Sequence, residues 1–297
     1  MQDALGNQVV VPAGFKIVNP NDYVTDGIII EDINYANTKG SQFVWIPIGD
    51  VIKEDKTITN IKLSRYTFST SGTLTDQGSN VLSNYYSEVN QSEYGNITAK
   101  ENIESEDSGF RKSAITNHGY YLGRYEARTN VERQTATTDN KLTQVTEKAE
   151  DYVYNYITQP QAANLSRNMY SNTPFQSDLI NSYSWDTAVV FLQLFDNRTN
   201  KTKPYSMQNS LNTSNIGLAS KGTNNSIASN KDVVCNIYDM ASNCREYSTE
   251  TIYKDSSPCL TRGGVYYGSY RYTSYRSAGD SINNSNCDGS FRPILYL

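Results

Sequence analysis

Histidine is nearly absent from this chain: of 297 residues, only His118 is one. A metal site built on several imidazoles is therefore excluded. Cysteine is also sparse, with Cys235, Cys244, Cys259 and Cys287 all in the last quarter and none in Cys-x-x-Cys spacing. With a single histidine to help them, no zinc site is expected. Four cysteines allow three pairings, or buried thiols acting as small hydrophobes, and spacing decides none of these. No run of about 18 apolar residues occurs, so no membrane span is expected. Met1 to Gln8 lacks the basic and apolar regions of a secretion signal. Charge is low as well: charged residues make up 19%, the net charge is −5, and no basic block marks a nucleic-acid reader.

What the sequence does hold is tyrosine, 24 of them, in an aromatic content of 11%. That is too much for a disordered chain, and it suits a β-rich core of aromatic and β-branched residues. Val9 to Val18 reads as two strands about a Pro12-Ala13-Gly14 turn, and Ile28 to Asp32 as another. Gln42 to Gly49 is the strongest strand of the first part, with Pro47 marking an edge or a bend. His118 to Ala127 reads as a further core strand, with His118 an ordinary hydrogen-bonding residue at its start. Residues 1–40 are expected to be an N-terminal β extension and 41–297 the main domain.

Two helices are expected. Gln159 to Asn168 carries Pro160 near its start, where a missing N–H costs nothing. In the second, Ser184 caps, Asp186 suits the positive end of the dipole, and Ala188, Phe191, Leu192 and Phe195 share a face. The segments 69–113, 129–146 and 199–231 are polar and read as long loops. Paired carboxylates there, such as Glu104 with Glu106, or Glu147 with Glu150, read as solvated loop charge rather than a glycosidase pair. The class is α+β, two helices with short twisted sheets and much irregular loop.

The C-terminal stretch is distinct. It opens on Arg262-Gly263-Gly264, closes on Phe291-Arg292, and between them is mostly Tyr, Ser, Gly and Asn. Between Val265 and Ser290 there is no Lys, Glu, Gln, Met or Trp, although these types make up 45 of the 297 residues and about four would be expected. Tyrosine among small polar residues is the composition of binding loops, where stiff amphipathic rings give contact area at low entropy cost. Strand alternation would still turn about half of such tyrosines inward.

Several segments carry a family resemblance in order. Gly119 to Glu126, Ser182 to Ala188, Ile237 to Tyr247, Arg262-Gly263-Gly264 and Ser290-Phe291-Arg292 resemble the motifs of the formylglycine-generating-enzyme-like superfamily, a form of the C-type lectin fold. Arg245 and Tyr247 stand where that family has tryptophans, so this is a diverged member. The resemblance implies structural roles for Arg262 and Arg292. The oxidases of the family carry a reactive cysteine pair after the Gly-Gly, and here no cysteine lies between Cys259 and Cys287, so the required thiolate is missing. The iron-dependent relatives need three histidines. No enzymatic activity is expected.

The stretch instead resembles the variable proteins of diversity-generating retroelements, which mutate adenines, chiefly in Asn codons. Such codons cannot become Lys, Glu, Gln, Met or Trp. The resemblance implies a display protein with a variable-type region at about 265–290. Its ligand-binding residues would be Tyr266, Tyr267, Ser269, Tyr270, Tyr272, Ser274, Tyr275, Asp280, Asn283, Asn284, Asn286 and Asp288. The partner would be a protein or glycan on another cell or virion, and the chain a surface, secreted or virion component. No cofactor is expected, save that the turn after Tyr238 resembles a calcium site with Asp239 and Glu246 as ligands. The competing readings are an oxidoreductase of the same superfamily and a structural surface protein whose tyrosines pack in an oligomer.

Overall fold

The computed structural model describes residues 1–78, 86–88, 99, 102–133, 142–199, 201–209, 232–252, 257–266 and 271–297. In chain order the first part contributes β1 (Phe15–Ile17), β2 (Ile29–Asp32), β3 (Gln42–Pro47), β4 (Gly49–Ile52), β5 (Ile58–Ile61), β6 (Arg65–Phe68), β7 (Leu74–Gly78) and β8 (Tyr86–Ser87). Helix α1 (Gly109–Thr116) leads into β9 (Gly119–Gly123), β10 (Arg128–Thr129) and β11 (Tyr152–Val153), then α2 (Gln159–Asn168), β12 (Gln176–Leu179) and α3 (Ser182–Leu194). The last part adds β13 (Val233–Val234), β14 (Ile237–Tyr238), β15 (Arg245–Ile252), β16 (Cys259–Arg262), β17 (Arg276–Asp280), β18 (Gly289–Phe291) and β19 (Pro293–Tyr296). The result is a mixed α+β architecture with three helices among the described residues.

Two sheets carry the fold. The larger runs β1-β2-β3-β9-β19-β12 and the smaller β17-β16-β15-β18, with β8 against β15. In β3 every residue from Phe43 to Pro47 is buried, as is all of β9, which is why those segments read as continuous apolar runs. The two sheets share one chain junction: β18 passes through Arg292 straight into β19.

The first 40 residues are built into this core. β1 and β2 extend the large sheet through the β2–β3 pairing, so a boundary at 40/41 would fall inside a hairpin. Phe15 packs on Phe43 with ring centroids 6.2 Å apart and on Tyr170 at 5.6 Å, and Tyr35 packs on Phe175 at 5.7 Å. The Tyr170 hydroxyl donates to Asp32 at 3.1 Å. Each such pair adds about 0.5–1.5 kcal/mol to the burial of its rings.

Helix α2 forms at the residues expected, with Thr158 and Gln161 closing a capping box around Pro160. Helix α3 differs in its start. Asn181, not Ser184, is the cap, and the helix begins at Ser182. Asp186 is fully buried and serves no dipole at a solvent-facing end. Helix α1 corrects the reading of 69–113 as loop alone: Ser108 caps it, and Phe110 lies 5.3 Å from the Tyr120 ring and 5.5 Å from that of Tyr296. The same segment also holds β7, which pairs with β6 just before it. Glu147 is another correction, being fully buried and accepting from the Tyr125 N–H at 3.2 Å.

Candidate functional site

The C-terminal stretch is held at both ends by buried charge. Arg262 ends β16 and Arg276 begins β17, so these two guanidiniums flank the loop 263–275. Asp186 of α3 and Glu250 of β15 lie between them. Arg262 donates to Asp186 at 2.5 Å and to Glu250 at 2.7 Å. Arg276 donates to Glu250 at 2.8 Å and also to Asp186. Each carboxylate bridges both arginines, and the group carries no net charge. Burial would raise the Glu250 carboxyl, but Arg262 and Arg276 outweigh it and hold its pKa at about 2.

Trp185 ties the same two arms of the loop. Its indole Nε1 donates to the Thr273 carbonyl at 2.9 Å, and the Arg262 guanidinium lies 5.3 Å from its ring. Gly263 has φ +80°, and a Cβ there would lie 2.6 Å from the Met240 carbonyl and 3.1 Å from the Trp185 ring. At Gly264 a Cβ would lie 1.9 Å from the Ala241 carbonyl oxygen. Only glycine lets this strand end settle on the turn beneath it, which is the physical content of the Arg-Gly-Gly signal. Further along, Thr273 and Ser274 donate their N–H groups to Gln208 at 2.9 Å and Ser206 at 3.0 Å.

The expected ligand residues divide on this frame. Tyr266, Tyr272 and Tyr275 are half-buried, and the rings of Tyr272 and Tyr275 meet edge to face at 5.3 Å. Asn283 is exposed, while Asn284 and Asn286 are half-buried. Tyr267, Ser269 and Tyr270 lie outside the described residues. Three of the expected residues are buried. Ser274 is buried and donates to the Ser206 carbonyl at 2.8 Å. Asp280 and Asp288 are buried partners of Arg245, Asp288 at 3.0 Å. Their carboxylates hold the base of the stretch through Arg245. Arg276, inside the stretch by sequence, belongs to the frame.

A second buried assembly lies under the turn 239–244. Arg292 donates to Glu246 through Nη2 at 2.6 Å and Nε at 3.0 Å, and to the carbonyls of Gly123 at 2.9 Å and Tyr238 at 2.8 Å. Of the expected calcium ligands, Glu246 accepts from Arg292 through both oxygens and Asp239 accepts from the Ser242 hydroxyl. Among the described residues no group of three or more His, Cys, Asp or Glu is arranged to hold a metal ion. Glu126 accepts from the Cys244 N–H at 2.7 Å and from Asn243, and Ser242 donates to Asp239 at 3.0 Å and Asp232 at 3.1 Å. Burial, with Asp239 and Glu246 nearby, pushes the Glu126 carboxyl well above its usual range. Burial and Asp232 push Asp239 up to about 7.

All four cysteines are free thiols, three of them buried, and burial pushes Cys259 up to about 12. Burial disfavours the thiolate at Cys235 and Cys244 as well. His118 is exposed, and its carbonyl accepts from the Ile48 N–H at 2.9 Å. No helix among the described residues is long and apolar enough to cross a membrane.

No family model matches the chain, and no curated protein matches it. Among solved structures it is similar to Treponema denticola variable protein 1, at 10% identity and a TM-score of 0.44, over 89% of this chain and 98% of that one. A likeness of that degree carries no functional inference.

Proposed function

We propose that this chain is a ligand-display protein of the diversity-generating-retroelement type, on a C-type-lectin-like frame. The replaceable residues of 265–290 form its recognition face. The observation that carries the reading is the quartet of Asp186, Glu250, Arg262 and Arg276, which closes loop 263–275 of the stretch on residues outside the loop itself. A loop fixed in this way can change its exposed residues without changing its ends. Half-buried Tyr266, Tyr272 and Tyr275 beside exposed Ala278 and Asn283 give the mixture of stiff rings and small groups that suits contact. The missing thiolate after Gly263-Gly264 supports binding over the oxidase chemistry of the superfamily. The target would be a protein or glycan on another cell or virion, with the chain placed on a surface, secreted or in a virion.

The reading is tested by a display library in which positions 266, 271, 272, 275, 277, 278 and 283 are diversified together. Selection against a protein the chain has never met should return folded, specific binders. Loss of folding in most members, or no binders from a well-folded library, would overturn it.

A further inference from the structure

The strand that follows the display loop has an open side. β17 pairs with β16, and among the described residues no strand pairs with its other edge. The register fixes which backbone groups face outward. Gly263 donates to the Tyr275 carbonyl, and Arg262, Thr261 and Leu260 stand opposite Arg276, Ser277 and Ala278. In an antiparallel ladder hydrogen-bonded and open pairs alternate, so Ser277 turns its N–H and C=O toward β16. Arg276 and Ala278 turn theirs away.

Among the described residues the guard on that edge is a register shift at Gly279, beyond the Arg276–Ala278 segment. Ala278 and Gly279 are exposed, Ser277 is half-buried, and the strand contains neither lysine nor proline. A Cβ built on Gly279 would meet no atom within 4 Å. The one long side chain, Arg276, is bound to Asp186 and Glu250 and cannot fold over the edge. The Tyr272–Tyr275 ring pair lies at the strand's N-terminal end.

We propose that β17 binds an extended polypeptide segment of the target by strand addition, with Tyr272 and Tyr275 selecting among its side chains. This rests on the display reading above and narrows its partner to protein. The outward donors and acceptors of Arg276 and Ala278, roughly 7 Å apart, match a second backbone, and no sugar ring presents that spacing. Backbone pairing needs no particular side chain at 272 or 275, so it persists while those residues are exchanged. The quartet holds the strand before binding, which keeps the ordering cost low.

The test uses a random 12-residue peptide library selected on the full chain, with a glycan array in parallel. Selected peptides should slow hydrogen exchange at the Arg276 and Ala278 amides, while Ser277 is slow with or without peptide. Ala278→Pro removes an outward N–H and should weaken peptide binding roughly tenfold or more. Ala278→Lys, which leaves the backbone amide in place and adds an edge charge, should weaken it too, and guards against a folding defect in the proline variant. If Tyr272→Ala and Tyr275→Ala abolish binding while both Ala278 variants bind normally, the strand-addition proposal fails and the display reading stands. If none of the four substitutions changes binding, both fail. Glycan binders without peptide binders would overturn the polypeptide assignment. Slow exchange at Ala278 in the free chain would overturn the open edge, whether it comes from the chain itself or, if dependent on concentration, from a second copy.

Discussion

Two buried charge assemblies in this chain are built in opposite ways. The quartet of Asp186, Glu250, Arg262 and Arg276 matches two carboxylates to two guanidiniums, and Glu250 is held ionised down to about 2. The assembly under the 239–244 turn has an excess of acid: Glu126, Asp232, Asp239 and Glu246 are all raised, with Arg292 and Arg128 as cations. The first is a rigid clamp that works as charged groups. The second tolerates or prefers protons. Loop 263–275 of the stretch proposed to vary hangs from the first, while Arg292, just past the other end of the stretch, belongs to the second.

The largest effect should come from breaking the balanced assembly. Arg262→Ala would leave Asp186 and Glu250 buried with one cation in place of two, at a cost of about 3–5 kcal/mol read from denaturant unfolding. A loss below about 1 kcal/mol would mean the quartet is not closed.

Next is the response to pH, where the acid-rich assembly and Glu88 set the sign. Burial and the Glu250 charge push Glu88 from its ordinary 4.5 up to about 7, and Asp239 rises to about 7 from 3.8. A carboxyl raised in the folded state contributes its full stability below the unfolded pKa and loses it as pH climbs through the folded one. The melting temperature should therefore rise as pH falls from 8 toward 5, by roughly 5 °C. Glu250 works the other way, its contribution vanishing as pH falls below about 4 toward its folded value of about 2. Glu88→Gln should flatten the upper limb, and a melting temperature that instead falls steadily from pH 8 to 5 would contradict the assignment.

Smaller again is Gly264→Ala, whose methyl must displace the Ala241 carbonyl. About 1–3 kcal/mol of destabilisation is expected, with the Tyr266 environment changed in fluorescence or NMR. Smallest is Tyr272→Ala, which removes one edge-to-face pair and should cost about 1 kcal/mol while leaving the pH profile as it was.

The two ends of the stretch were legible because Arg-Gly-Gly and Phe-Arg are local signals with a steric or charge requirement behind them. The third anchor was not. Arg276 pairs with Asp186, far back in the chain, and no periodicity links the two. Glu147 looked like loop charge for the same reason: the groups that bury it come from elsewhere. Asp280 and Asp288 sit among small polar residues, and only folding brings Arg245 to them. Among elements, β3, β9 and α2 could be read because their apolar runs or caps are continuous. Helix α1 carried a weaker form of the same signal, Ser108 followed by Phe110 and Ala114 one turn apart, within an otherwise polar segment.

The most direct measurement is to sequence the coding segment from many independent isolates and map the substitutions. The account predicts changes at adenines, concentrated at exposed or half-buried positions such as 266, 272, 275 and 283. Arg262, Gly263, Gly264, Arg276, Asp280, Asp288, Phe291 and Arg292 would stay fixed. Substitutions spread evenly along the chain, or falling on Arg276 as often as on Tyr275, would contradict it.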